Sequence, residues 1–269
     1  MKIYISADIE GITGVMHWNE TEKSKPDFQE SCEQMTKEVK AACDAAIVAG
    51  AKEILIKDAH ETGRNIIASQ LPQGAKLIRG WSEHPLLMVQ ELDKSFDALI
   101  MIGYHSYGSS SDNPLSHTLN PFELNYIKLN GQLASEFLIY SYAAAIFDVP
   151  VIFLSGDEGI CKEAKKLNNN IKTVAVNKGV GNSVISIHPQ LAVEKIKKDV
   201  ELALKRDINL CKIHLPGHFE VELSYKKHWK AFKTSFYPGM KQISSTNVFF
   251  ESKNYYDAVS YTHLTLPTN

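Results

Sequence analysis

No stretch of this chain approaches the roughly 20 consecutive apolar residues that a membrane-spanning helix needs. There is no long run of one charge sign, and the formal net charge is only −2. That balance excludes a strongly basic nucleic-acid groove and gives no footing on an anionic membrane surface. No glycine-rich phosphate loop follows the first apolar stretch, which argues against nucleotide binding. The four cysteines, Cys32, Cys43, Cys161 and Cys211, form no Cys-x-x-Cys pair and read as free thiols of a reducing cytoplasm. The N-terminus runs directly into a strand, leaving no room for a signal peptide. Internal repeats and low-complexity segments are absent as well. What is present is the composition of an ordinary globular protein: 269 residues, 44% hydrophobic and 22% charged.

The first ten residues organise the rest. Ile3, Ile5 and Ala7 are apolar, and Asp8, Glu10 and Gly11 follow at once. This reads as a buried strand ending in two carboxylates, which share a face because side chains two apart on a strand point the same way. Like charges gathered at the end of a buried strand are costly unless a positive group sits between them. A metal ion would supply it; the plainer alternative is a helix N-cap beside a solvated turn carboxylate.

Further strands are expected at 53–58, 97–102, 149–154 and 172–176, alternating with helices at 28–49, 85–92, 133–147, 158–167 and 189–206. Residues 64–80 are expected to hold a short helix and a short strand. Residues 122–129 followed by Asn130-Gly131 signal a hairpin. Alternating stretches at 218–224 and 242–251 flank a short helix at 226–232. The pattern predicts an α/β fold, a parallel Rossmann-like sheet flanked by helices over residues 1–185, with a smaller C-terminal α+β unit over 186–258. Residues 259–269 break the pattern. Val259 to Thr268 back-translates readily to a transposon end used in preparing sequencing libraries, so this stretch is expected to be adapter read-through, and His263 is set aside as a ligand.

Three strand ends present Asp8 with Glu10, Asp58 with His60, and His105. Ligands of open parallel sheets bind outside the carboxyl ends of the strands, so these groups are expected to converge. Glu136, early in the helix before the fourth long strand, falls within reach of the same edge. Two histidines with carboxylates suit zinc or another borderline divalent ion. Five ligands exceed the needs of one ion, which favours a dinuclear site bridged by Asp8, its ions about 3.5–4 Å apart. Each residue also has a plainer reading: His60 as a hydrogen-bonded loop histidine, His105 as a turn closer, Glu136 as a first-turn acid, and Asp58 as a brace for a ligand histidine. Repetition of the same event at successive strand ends weighs against those readings. His117 lies instead in a polar loop, between Ser116 and Thr118, where an imidazole is a natural general base or nucleophile. Ser116 lacks the Gly-x-Ser-x-Gly setting of a serine nucleophile.

The run from Asp8 through Glu10 to Gly14, then Asp58-Ala-His60, Gly103-Tyr-His105, Ser116-His117-Thr118, Glu136 and Asp148-Val-Pro-Val151 resembles the zinc D-aminopeptidase family of dipeptide-transport operons. The resemblance covers residues 1 to about 258. It implies that Asp8, Glu10, His60, His105 and Glu136 hold two zinc ions and that His117 is catalytic. It further implies removal of N-terminal D-amino acids such as D-alanine from short peptides of cell-wall turnover, by a ring-stacked, self-compartmentalising homodecamer. The expected chemistry is metal-assisted hydrolysis, with His117 as general base or nucleophile and then as proton donor to the leaving amine. The family commonly has glycine before the helix glutamate and asparagine four residues after it, where this chain has Ser135 and Tyr140. Its loop between His105 and His117 is also slightly longer. Loss of a last helix by truncation would weaken assembly more than the pocket.

Two other readings compete. A dinuclear phosphoesterase would want basic residues at the pocket, and the nearby loops offer only Lys57, Arg64 and Arg79. A non-catalytic metal- or peptide-binding accessory of a transport system would bind without turnover.

Overall fold

In the computed structural model, which describes residues 1–262, the opening segment forms β1 (Lys2–Ala7), buried over nearly its whole length. α1 (Phe28–Val48) returns the chain to β2 (Glu53–Asp58), followed by β3 (Ala75–Ile78) and β4 (Ala98–Tyr104). β5 (Leu124–Leu129) and β6 (Gln132–Leu133) form a hairpin ahead of α2 (Glu136–Ile146). β7 (Val151–Asp157) runs straight into α3 (Glu158–Leu167), and β8 (Lys172–Val180), β9 (Ser183–Ser186) and α4 (Pro189–Leu204) follow. The last part contains β10 (Phe219–Tyr225), α5 (His228–Thr234), β11 (Lys241–Gln242), β12 (Asn247–Ser252) and α6 (Tyr255–Thr262).

The expected α/β architecture is present. A seven-stranded sheet has the order β3-β2-β1-β4-β7-β8-β9, parallel except for β9. β1 pairs with β2 on one side and β4 on the other, so the direction of winding reverses between β1 and β4. The crevice beyond their C-terminal ends is therefore the topological switch point of the sheet. Alternate residues of β1 feed opposite cores: Ile3 and Ile5 pack with Val39 of α1 and Ile196 and Val200 of α4, whereas Tyr4 packs on the α2 side with Met101 and Phe137. Burial of each such side chain contributes about 1.5–3 kcal/mol.

Two glycines let the exits of β1 and β4 press together. A Cβ on Gly11 would lie 1.9 Å from the Tyr104 carbonyl oxygen, and Gly103 takes φ 70° while accepting a 2.8 Å hydrogen bond from the Gly11 N–H. Residues 8–10 are thereby held against the end of β4.

A second, five-stranded sheet has the order β11-β12-β10-β5-β6. The two sheets interleave along the chain, because β5 and β6 pair into the second sheet while α4 packs on α1 and β8 of the first. A single cut near residue 185 does not separate them.

Several expected elements differ. Residues 85–92 hold only a 3-10 turn at Leu87–Val89 instead of a helix. Leu86, Leu87, Met88, Val89 and Leu92 are all buried, which leaves no polar face for an amphipathic helix, and the carbonyls of Met88 and Gln90 accept hydrogen bonds from Ser6 and Tyr4. The helix expected from 133 starts at Glu136, since the Ser135 hydroxyl accepts from the Leu138 N–H and caps it, while Leu133 pairs with Lys128. Strand β7 continues three residues beyond the expected 154 to Asp157, and β8 continues into a hairpin with β9. Residues 259–262 complete α6, with Val259 buried; His263 and the rest of the suspected read-through lie outside the described residues. No helix among the described residues is long and apolar enough to cross a membrane.

Candidate metal centre

Asp8 and Glu10 leave β1 at the switch point, His60 lies two residues beyond β2, His105 directly follows β4, and Glu136 opens α2. The structure brings all five together. His60 Nδ1 lies 3.1 Å from Glu10 Oε2 and 3.4 Å from Asp8 Oδ1. His105 Nε2 lies 3.4 Å from both Asp8 Oδ2 and Glu136 Oε2. The two oxygens of Asp8 thus face different histidines, the arrangement a bridging carboxylate requires. Exposure is 2% for Asp8, 1% for Glu10 and His105, 4% for Glu136 and 8% for His60.

Each imidazole is oriented by a backbone carbonyl on its far nitrogen. His60 Nε2 donates to Thr21 O at 3.0 Å, His105 Nδ1 to Ser106 O at 3.0 Å, and His117 Nδ1 to Leu115 O at 2.8 Å. The nitrogen left over in each case points into the cluster with its lone pair available, the tautomer of a metal ligand or a base. His117 stacks on His105 with ring centroids 4.2 Å apart and meets the edge of Trp18 at 5.4 Å, so its ring is held from two sides. Its Nε2 is 3.7 Å from Glu136 Oε1, an oxygen that already accepts a 2.7 Å hydrogen bond from the Leu119 N–H.

The donor set fits divalent metal. Two triads, Asp8–Glu10–His60 and His105–His117–Glu136, each hold their ligand atoms within 4.8 Å of one another. Glu10 Oε2, in the first triad, and His105 Nε2, in the second, are buried without a well-formed hydrogen bond, orphaned groups that a cation in each triad would satisfy. Without an ion, protons on the two imidazoles take that place. Burial opposes charge on His60 and His105, yet the facing carboxylates, Glu10 for the first and Glu136 for the second, hold both well above the ordinary imidazole range. Burial likewise opposes the charge of Asp8, but interaction with His105 and His60 keeps it far below the usual carboxylate range. His117 goes the other way: burial, then the charge of His105, lowers it.

Asp58 does not enter the cluster. Its carboxylate accepts from the Asn65 and Ile66 N–H groups and from Asn65 Nδ2, which also donates to the His60 carbonyl at 2.7 Å. Asp58 therefore braces the loop that carries His60, through backbone and not through the imidazole. The Ser116 hydroxyl donates to the Asn113 carbonyl and is not aligned as a nucleophile. Asp157, at the end of β7, accepts from Ser106 N at 2.7 Å, Ser106 Oγ at 2.6 Å and Asn113 Nδ2 at 3.2 Å, while capping α3 at Ile160 N. It ties down the loop between His105 and His117. Its position at a strand end was the signal available for it.

A cavity of about 400 Å³ opens on the cluster, walled by Trp18, Trp81, Leu87, Leu119 and Phe122, with Tyr140 at its base. None of Lys57, Arg64 and Arg79 lines it. Lys57 is buried elsewhere, its ammonium bonded to the Asp58 and Gly80 carbonyls and lying over Trp81. The basic wall that phosphoryl chemistry would want is missing from this cavity.

Comparison with known proteins shows what the whole chain is similar to. The sequence model of the Peptidase M55 family, described as D-aminopeptidase, matches residues 1–264. A D-aminopeptidase of Bacillus subtilis (strain 168) is 27% identical over 260 residues, spanning 96% of this chain and 94% of the relative. A solved structure described as the Zn-dependent D-aminopeptidase DppA from Bacillus subtilis, a self-compartmentalizing protease, superimposes with a TM-score of 0.92 at 26% identity, covering 98% of this chain and 96% of the other.

Proposed function

The chain belongs to the Peptidase M55 family of D-aminopeptidases, and from that premise we propose that it hydrolyses the bond after an N-terminal D-amino acid of a short peptide at a dinuclear zinc centre. The observation that carries this reading is the division of Asp8 between His60 and His105, with Glu10 and Glu136 closing the two halves. Asp8, Glu10 and His60 would hold one ion; Asp8, His105 and Glu136 the other. Two zinc ions there would supply Lewis acidity at the scissile carbonyl and a water acidified to a pKa near 7.

The chain's own residues do the rest. His117 stands neutral because burial and the neighbouring His105 disfavour its cationic form, and its Nε2 is free because Nδ1 donates to Leu115 O. It accepts the proton of the attacking water at Nε2 and passes it to the departing amine. Trp18 and His105 fix the plane of its ring for both transfers. Trp81, Leu119 and Phe122 give the cavity beside the reacting bond an apolar wall for the substrate.

A homo-oligomeric, self-enclosing assembly follows by likeness to the Bacillus structure. All four cysteines are free and buried, which supports a cytoplasmic setting.

Hydrolysis of D-alanyl and L-alanyl p-nitroanilide, with and without chelator, tests the reading. D-selective release that chelation abolishes and zinc restores is the expected result. Inertness of the zinc-loaded protein toward both substrates would overturn it.

A further inference from the structure

The cavity on the metal cluster does not end at His117. A second cavity of about 330 Å³ adjoins it and shares Trp18, His117, Pro121 and Phe122 as walls. The two differ in charge. Beyond the metal-facing carboxylates, the first is lined by Glu22, Glu61 and Glu83 and by no lysine or arginine. The second is lined by no acid and by one cation, Lys226.

Lys226 immediately follows the end of β10, and its backbone N–H is fixed to the Glu123 carbonyl at 2.8 Å. Its ammonium donates one hydrogen bond, 2.6 Å, to Pro121 O, a residue that lines both cavities. An ammonium carries three donors, so two remain. Among the described residues Lys226 has no ion-pair partner. Of the cavity's other polar walls, Ser116 and Asn125 direct their donors to the carbonyls of Asn113 and Tyr225. Lys226 is exposed, so its two spare donors are hydrated until a ligand carboxylate takes the place of that water. Across His117, then, the site runs from an acid-lined end to a cationic end. That polarity matches a peptide with a free amine on one side of the scissile bond and a free carboxylate close beyond it. One residue spans at most ~3.3–3.6 Å, so a cavity of this size takes one or two residues past the bond.

Resting on the aminopeptidase reading above, we propose that the second cavity receives the departing part of the peptide and that Lys226 binds its C-terminal carboxylate. Lys226 then makes the enzyme selective for very short peptides with an unblocked C-terminus over amides and longer chains.

The test compares three substrates, D-Ala-D-Ala, its C-terminal amide, and D-alanyl p-nitroanilide, in wild-type protein and in Lys226→Met and Lys226→Glu. The dipeptide acid is expected to show a KM raised about 5–10-fold in K226M and more in K226E, with kcat held, the mark of lost ground-state binding. The two substrates without a carboxylate report any general damage. An unchanged KM for the acid, or equal losses on acid and amide, overturns the assignment. A wild-type protein inert to D-alanyl p-nitroanilide would instead sink the aminopeptidase reading and this assignment with it.

Discussion

The hydroxyl of Ser135 donates a 2.7 Å hydrogen bond to Glu163 of α3, and the same hydroxyl caps the helix that begins with Glu136. Burial pushes the Glu163 carboxyl up to about 7, and its Oε2 has no hydrogen-bond partner. A carboxyl raised in the folded state favours folding while protonated, and that contribution disappears as pH rises from the unfolded value of 4.5 through about 7. Glu163→Gln should therefore stabilise the protein at pH 8 by roughly 2 kcal/mol, seen as a raised Tm, and change little at pH 5. Thermal unfolding of both proteins at the two pH values decides it; an equal shift at both would refute the ionisation account.

His117→Ala should lower kcat by about 10²–10⁴-fold while leaving metal content intact, since the ring contributes proton transfer and not the main coordination. Metal analysis beside the nitroanilide assay separates the two effects. Loss of one metal equivalent in the variant would move His117 into the ligand set.

Stripping the metal should reverse the pH dependence of stability. In the metal-free protein the raised values of His60 and His105 mean stability that is complete below an unfolded pKa of about 6.5 and lost as pH climbs through the folded values. Raising the pH through those folded values leaves Asp8, Glu10 and Glu136 facing each other without a cation. The zinc-loaded protein should gain over the same range, because its ligands bind metal only when deprotonated. Melting curves with and without chelator check the crossing; parallel slopes would contradict it.

Asp157→Ala removes the acceptor for Ser106 N, Ser106 Oγ, Asn113 Nδ2 and the α3 cap. Buried donors left unpaired cost about 1–3 kcal/mol each, so a clear drop in Tm is expected. Because the affected loop directly follows His105, affinity for one metal equivalent should fall about 10–100-fold. Zinc titration against a competing chelator measures it, and wild-type affinity with a lowered Tm would confine Asp157 to a structural role.

Much of the site was legible because its residues interrupt strong local patterns. Asp8, Glu10 and His105 each end an apolar strand, and a polar group there is visible without a fold. Glu136 was readable as a first-turn acid. What escaped was set by partners distant in sequence. β5 and β6 carry a good hairpin signal, yet nothing local says that β5 pairs with β10 some ninety residues on. Residues 85–92 have helical spacing, but burial on every side and hydrogen bonds from Ser6 and Tyr4 claim them for another shape. Asp157 and Lys226 carry no local signal beyond their places at the starts of expected helices, and their partners Ser106, Asn113 and Pro121 are distant in sequence.

The walls of the first cavity come from other parts of the chain than its floor. Asp8, Glu10, His60 and His105 sit at or just past strand ends and Glu136 opens a helix, whereas Trp18, Trp81, Leu119 and Phe122 sit on connecting segments. Glu61, Glu83, Leu87 and Leu119, all on this rim, adopt positive φ, so the rim is held in shapes its neighbours impose. Substitutions in those segments would therefore reshape what the cavity admits without moving the groups at its floor.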